Sequence, residues 1–235
     1  MPSHPLASSA PPLSVVIPAL NEARGIAATL NHVRALAPEV ELIVADGGST
    51  DRTREIASPL ARVIQAPKGR AKQMNAGAAA ARGDWLLFLH ADTRLPAGFP
   101  EEIERAGALG FEAGAFRLRI IGRHPLLPLL SWGANLRTRW RRIAFGDQAL
   151  FAKATLFQRL DGFPDLPLME DYAWSLRLRR ERIPLYLSRL AVETSGRRWD
   201  ELGFYRTWWK MRRLIWSYRQ GGIPVRPSRD YPDVR

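Results

Sequence analysis

LSVVIPALNEARGIAATLNHVRALAPEVELIVADGG, residues 13–48, changes hydrophobic period twice within one short span. It opens with LSVVIP, a β-branched apolar run, and closes with VELIVAD, a second run of the same kind. Between them Ile26, Leu30, Val33 and Leu36 recur at helical spacing, and Asn21 stands where a helix N-cap is expected. Strands that are apolar throughout, rather than alternating, suit a sheet covered on both faces. The pattern then repeats. ARVIQA (61–66) and DWLLFLHAD (84–92) read as strands, while STDRTREIA (49–57) and GRAKQMNAGAAAAR (69–82) read as helices. Strands and helices alternating at these lengths build βαβ units with right-handed crossovers. The expected class is therefore α/β, with a mostly parallel central sheet flanked by helices.

In such sheets ligands bind beyond the carboxyl ends of the strands. Three polar clusters fall there: Pro18, Leu20, Asn21 and Glu22 after the first strand; Asp46, Gly47 and Gly48 after the second; His90, Ala91 and Asp92 after the fourth. Neither a G-x-x-x-x-G-K-[ST] loop nor a G-x-G-x-x-G turn is present at these positions, which argues against a P-loop enzyme and a standard dinucleotide binder. Carboxylates repel a diphosphate directly. They accept hydrogen bonds from a base or ribose, and they share a divalent cation with phosphate oxygens. A single Asp at a strand end equally suits a turn, but three clusters converging on one edge favour a site.

Composition narrows the chemistry. Lys and Arg number 35 against 23 Asp and Glu, a formal charge of +12 that attracts phosphates, nucleic acids or anionic membrane surfaces. Cysteine is absent, which excludes disulfides, thiolate metal sites and thiol nucleophiles. Residues 1–12, rich in Pro, Ser and Ala, read as a flexible leader without the features of a secretory signal. Residues 13–235 read as one domain: a strand–helix half at 13–95, a second half at 96–199, a basic amphipathic helix at 200–221 and a tail at 222–235. The apolar runs DWLLFLHA and HPLLPLLSWGANL are too short or too broken by proline to cross a bilayer, which needs about 20 apolar residues. The expected setting is cytoplasmic, at most at the inner face of the membrane.

After Leu95 the alternation fades. Residues 101–109 read as a helix and 115–121 as a strand. Arg117, Arg119, Arg123, Arg137, Arg139, Arg141 and Arg142 make a basic stretch ahead of FGDQALF (145–151); most suit solvation, and a few could neutralise a leaving phosphate or an anionic acceptor. Asp147 and Gln148 fit either a sugar-hydroxyl contact or a capped turn. Glu170 and Asp171 begin a helix with Trp174 and Leu178 on its stripe, where acids also complement the helix dipole. Near the C-terminus Phe204, Trp208, Met211, Ile215 and Tyr218 form a stripe with Arg206, Lys210, Arg213 and Arg219 off it. Such a helix packs on its own domain or makes a peripheral membrane contact.

SVVIPALNE, IVADGGSTDRT and GRAKQMNAGAAAARGDWLLFLHADT, in this order and spacing, resemble the nucleotide-sugar half of family-2 glycosyltransferases of the GT-A (Rossmann-like) fold, among them small members associated with arsenosugar biosynthesis. The resemblance implies a nucleoside-diphosphate sugar donor bound by Pro18, Leu20, Asn21, Glu22, Asp46 and Gly47, with Arg70 and Ala91 also at the nucleotide. It implies Asp92 as ligand to Mn²⁺ or Mg²⁺, with His90 either ligating or orienting it. FGDQALF resembles a sugar-pocket segment, so Asp147 and Gln148 join the donor site; the Glu170–Asp171 pair resembles the one that supplies the catalytic base, by position Asp171. Arg197, Arg198 and Trp199 resemble an element that borders the acceptor. Two departures stand out: ADGG replaces the usual DDGS, leaving Ala45 for one acid, and His90 replaces the first Asp of Asp-x-Asp. The implied reaction is metal-assisted inverting transfer to a hydroxyl acceptor, lipid-linked or small. A nucleic-acid or anionic-surface binding protein would account for the charge while leaving Asp46, Asp92 and Asp171 without a purpose, and a non-catalytic nucleotide-sugar binder is the third reading. No nucleic-acid partner is expected, and the oligomeric state is not legible.

Overall fold

The computed structural model describes residues 12–220. The leader's residues 1–11 and the tail at 222–235 lie outside the described residues. In chain order the strands are β1 (Leu13–Ala19), β2 (Glu41–Asp46), β3 (Arg62–Gln65), β4 (Trp85–Phe88), β5 (Thr93–Arg94), β6 (Ala113–Ile121), β7 (Phe151–Lys153) and β8 (Leu185–Ser195). The helices are α1 (Ile26–Leu36), α2 (Thr53–Ala57), α3 (Arg70–Ala80), α4 (Phe99–Ala108), α5 (Leu127–Arg141), α6 (Ala154–Arg159), α7 (Glu170–Arg180), α8 (Arg197–Leu202) and α9 (Phe204–Arg219), with a 3₁₀ turn at Gly146–Gln148.

The strands form one eight-stranded sheet in the order β3-β2-β1-β4-β7-β6-β8-β5. β1 through β4 are parallel, β6 and β8 are parallel to each other, and β7 and β5 run against their neighbours. The mostly parallel α/β sheet expected from the strand–helix alternation is the one observed. Successive strand residues point to opposite faces, and β1 shows the consequence. Val15 and Ile17 join a core with Ile26 and Leu30 of α1 and Phe99 and Ile103 of α4. Val16 points the other way, into a core with Met74 of α3, Phe157 of α6 and Trp174 of α7. Each fully buried aliphatic side chain in these layers contributes roughly 1.5–3 kcal/mol relative to exposure.

Three boundaries differ from the sequence reading. α1 starts at Ile26 with Gly25 as its N-cap, not at Asn21. Asn21 sits instead in the left-handed region at φ 57, and a turn closed by Gly25 N–H to Glu22 O precedes the helix. β4 ends at Phe88 rather than carrying on to Asp92, because a turn closed by Thr93 N–H to His90 O (3.1 Å) lifts His90, Ala91 and Asp92 off the sheet. The basic C-terminal helix is two helices, broken at Gly203 with φ 84. Ile215 and Tyr218 of its stripe pack beside Ile143, Phe145 and Tyr172. Among the described residues no helix is long and apolar enough to cross a membrane.

Candidate active site

β1 and β2 finish in register, Ala19 opposite Asp46, so the loops that follow emerge side by side. Backbone and short side chains stitch them together. Asn21 N–H donates to Ser49 Oγ (2.9 Å), Thr50 N–H donates to Asn21 Oδ1 (2.9 Å) and Glu22 N–H donates to Thr53 Oγ1 (2.7 Å). From α3 the buried Gln73 donates its Nε2 to both Ala19 O (2.7 Å) and Ala45 O (2.9 Å), tying the two strand ends to the helix. A Cβ on Gly47 would lie 2.8 Å from Gln73 Cδ, so glycine is what allows the amide to reach.

Asp46 is fully buried at the floor of this loop pair. Its Oδ2 accepts the N–H groups of Gly48 and Ser49, both at 3.0 Å, with Arg54 Nε 3.9 Å away. Its Oδ1 is buried and accepts no hydrogen bond from the described residues. A buried acceptor left open inside an otherwise satisfied carboxylate suits a ligand N–H or hydroxyl. Pro18 and Leu20 are half-buried beside it, and the first loop reaches the third cluster, since a Cβ on Gly25 would meet Ala91 O at 3.8 Å. Thr29 Oγ1 of α1 also donates to Ala91 O, which holds the His90–Asp92 turn against that helix.

The second group forms where that turn meets the 3₁₀ turn and the start of α7. Gly146 N–H donates to Asp171 Oδ2 at 2.5 Å, and Tyr172 N–H donates to Asp171 Oδ1 at 2.6 Å. A Cβ on Gly146 would lie 2.8 Å from His90 Nε2 and 3.2 Å from Asp171 Oδ2, so this glycine lets imidazole and carboxylate close on one point. Asp147 has a buried Oδ1 that accepts no hydrogen bond. Burial pushes its carboxyl up to about 6; Arg137 opposes the rise, and the neighbouring Asp171 and Asp92 add to it. Asp92 and Asp171 thus both lie close enough to Asp147 to be felt by its carboxyl. Asp92 is exposed, Asp171 half-buried.

Arg137 braces this neighbourhood from α5. Its guanidinium lies 4.0 Å over the Phe145 ring, its Nη2 donates to Gln148 Oε1 (3.0 Å) and its Nε to Ile143 O (3.2 Å). Burial lowers its pKa, against the pull of Asp147 and Asp171. Gln148 is wholly buried and engaged by the fold: its Oε1 also accepts from Thr138 Oγ1 (2.9 Å), and its Nε2 donates to Phe116 O (3.2 Å). Glu170, buried beside Asp171, lies 3.6 Å from Arg70 Nη1 at the start of α3. Burial pushes Glu170 up to about 7, with Arg70 pulling down and Asp171 pushing further up. Thus Arg70 and Glu170 link the α3 end of the Asp46 loops to the Asp171 end of the site. Ser49, Thr53, Gln73 and Gly146 are site-building residues with no counterpart in the sequence reading; their contacts lie far away in the chain, and only the small or polar character of each residue hints at them.

Among the described residues no group of three His, Asp or Glu is arranged to hold a metal ion. The donor set fits a cation that brings ligands of its own. An exposed Asp92, with Asp147 and Asp171 repelling behind it, offers one or two carboxylates facing solvent, which is how Mg²⁺-type ions are held when substrate phosphates complete the shell.

Residues 14–121 match the sequence model of the family described as Glycosyl transferase family 2. A PGL/p-HBAD biosynthesis glycosyltransferase of Mycobacterium bovis is 41% identical over 96 residues, 37% of this chain and 38% of that protein. The chain thus spans well under half the length of that relative. Among solved structures, a mannosyltransferase of Pyrobaculum calidifontis in complex with GDP-Man and Mn²⁺ aligns at 18% identity and a TM-score of 0.66, covering 92% of this chain and 67% of that one. Glucosyl-3-phosphoglycerate synthase of Mycobacterium tuberculosis, in complex with Mn²⁺, UDP and glucosyl-3-phosphoglycerate, aligns at 22% identity and a TM-score of 0.59, covering 91% and 80%. At these identities the two likenesses are of fold, and the fold is that of GT-A glycosyltransferases.

Proposed function

We propose that this chain, built on a family-2 glycosyltransferase domain at residues 14–121, moves a sugar from a nucleoside-diphosphate sugar to an acceptor hydroxyl in one inverting displacement. The observation that carries the reading is the meeting of Asp171, held by two backbone N–H groups, with Asp92 and Asp147 beyond the strand ends. The nucleoside end of the donor fits the Asp46 loops, where Oδ1 is an open buried acceptor next to Pro18, Leu20, Asn21, Glu22 and Gly47. Arg70, half-exposed at the start of α3, supplies positive charge to the diphosphate. GDP-Man and UDP in the two structural neighbours support a donor of this chemistry.

Asp171 is the base. Its carboxylate is held by Gly146 N–H on Oδ2 and Tyr172 N–H on Oδ1 and stays partly exposed, so it takes the acceptor hydroxyl's proton as the new C–O bond forms. The bond from the anomeric carbon to the diphosphate oxygen breaks on the opposite side, and its electron pair leaves with the nucleoside diphosphate. Asp92 would hold a divalent cation, with His90 beside it and Asp147 near enough to share the charge; when bound, that cation stabilises the negative charge growing on the leaving diphosphate. Mn²⁺ in both neighbours supports this assignment. The acceptor is a hydroxyl compound, lipid-linked or small.

Asp171→Asn tests the reading. With UDP- and GDP-sugars and Mn²⁺ or Mg²⁺, donor binding should persist while transfer falls roughly 10²- to 10⁴-fold. Turnover at the wild-type rate by the Asp171→Asn variant would remove Asp171 as the base. EDTA should abolish transfer, and turnover that survives the chelator would remove the cation.

A further inference from the structure

α5 and α9 share a feature that glycosyl transfer leaves unused. The inner side of α5 packs through Leu127, Leu130, Ser131 and Ala134, and Asn135 bonds both N–H and C=O of Leu118 on β6. Its opposite side carries Leu129, Trp132, Leu136 and Trp140, spaced by three, four and four residues, and all are exposed, Trp140 by 78% and Trp132 by 61%. α9 is built alike. Ile215 and Tyr218 face inward, whereas Tyr205, Trp209 and Trp216 face solvent, the two tryptophans 68% and 64% exposed. Large aromatics at this exposure, recurring along each of two helices, are not the scattered apolar residues of an ordinary surface.

α9 is tied at both ends to segments that adjoin α5. Phe204, the first residue of α9, stacks on His124, three positions before α5, with centroids 4.4 Å apart. Near the other end Tyr218 meets Tyr172 edge-on (5.4 Å), Arg219 Nε donates to Tyr172 Oη (3.0 Å), and Tyr172 packs on Phe145, the ring that carries Arg137 of α5. Neither helix contains an Asp or Glu. Arg139, Arg141, Arg142, Arg206, Arg212 and Arg213 make no ion pair within 4.0 Å among the described residues. Arg206, Arg212 and Arg213 are interleaved with Trp209 and Trp216 along α9.

We propose that α5 and α9 form a docking face for an anionic membrane surface, with the aromatics and Leu129 and Leu136 entering the interface and the arginines meeting lipid phosphates. Aromatic rings settle at the headgroup level, and a polar face rich in Arg adds attraction to acidic lipids. A second copy of the chain would bring the same acid-free cationic face against it. A nucleic acid would leave the two leucines without a use. Because Tyr172 follows Asp171 directly and holds the inward side of α9, the helix that carries the docking face is anchored at the start of the catalytic helix. On the reading of the site as a glycosyltransferase, the acceptor hydroxyl is then presented at the bilayer.

The test uses the full chain, without donor, sedimented with vesicles of phosphatidylcholine alone and of phosphatidylcholine mixed with phosphatidylglycerol. Binding is expected on the acidic vesicles only, with a blue shift in tryptophan emission. The combined variant Trp132→Ser, Trp140→Ser, Trp209→Ser and Trp216→Ser keeps every cation and should keep the melting temperature, yet partition should drop about tenfold or more, since burying even one large aromatic is worth that much. Variants confined to α5 or to α9 should each fall between. Undiminished binding by the fourfold variant would assign adsorption to overall charge and overturn the proposal. So would an aromatic-dependent dimer, or RNA retention without vesicle binding. Donor binding by the same variants reports separately on the glycosyltransferase reading, which stands or falls independently of the vesicles.

Discussion

Glu170 and Asp171 are adjacent in the chain and live in different media. Asp171 is half-buried and takes two backbone N–H groups, whereas Glu170 is buried against a single guanidinium 3.6 Å away. Burial outweighs Arg70 and, with Asp171 adding its repulsion, pushes Glu170 from an ordinary 4.5 up to about 7. Between those two values the folded protein holds a proton that the unfolded chain has released, so stability falls as pH rises through that window. Asp147 acts in the same direction between 3.8 and about 6. We expect Glu170→Gln to flatten the fall in stability between about pH 5 and 7.5, by roughly 1–3 kcal/mol at the upper end. Urea midpoints across pH measure this, and parallel curves for the two proteins would show that Glu170 does not titrate there. The residues of this site were legible in proportion to how local their signal is. Acids closing apolar runs, Asp46 and Asp92, and acids opening a helix, Glu170 and Asp171, stand out in the sequence. Gln73 does not, because its two acceptors lie 54 and 28 positions away, and Gly146 is recognisable as a site residue only once His90 and Asp171 are seen closing on it.

At the scale of elements, α3 carries both Arg70 and Gln73, and its placement depends on one close approach. A Cβ on Gly77 would lie 2.3 Å from Val16 Cγ1, in the fully buried middle of β1. Val16 is β-branched and has little rotameric freedom to yield. Gly77→Ala would gain up to about 1 kcal/mol in helix propensity while losing about 1–3 to overpacking, so the net effect is neutral to destabilising. Gly77→Val gains less and clashes more. It should lower stability by at least about 2 kcal/mol and, by pushing α3 away from β1, weaken nucleotide binding as well. Denaturant midpoints and nucleotide titration check the two effects; loss of stability with unchanged nucleotide affinity would mean that α3 shifts without carrying Arg70 and Gln73. The same close packing explains why the first half of the fold could be read: β1, β2, β4 and α1 must each present a continuous or periodic apolar surface. The second half keeps its pattern less cleanly. β7 is three residues long, β6 and β8 change register between Ala115 and Arg117, and α5 begins at a proline-rich segment and turns tryptophan and leucine outward, which erases the one-sided stripe that marks a helix.

Across the whole molecule the excess of 35 Lys and Arg over 23 Asp and Glu means that folding concentrates like charge. The helices α5 and α9 carry basic residues and no acidic ones, while Asp171 and Asp92 both repel Asp147 at the strand ends. Among the described residues the ion pairs formed by Arg52, Arg119 and Arg197 are exposed, and exposed pairs contribute about 0–1 kcal/mol each. Screening should therefore help the fold. Raising NaCl from 0.01 to 0.1 M shortens the Debye length from about 30 to about 10 Å, and relief of about 1 kcal/mol of self-repulsion would raise Tm by roughly 2–4 °C. The same screening weakens the attraction of a nucleoside diphosphate to Arg70 and to the field of the basic chain, so donor affinity should fall over that range. Stability and affinity thus move in opposite directions with salt. Calorimetry and donor titration in one salt series test this, and a Tm that drops alongside affinity would mean that local ion pairs, rather than net charge, govern the folded state.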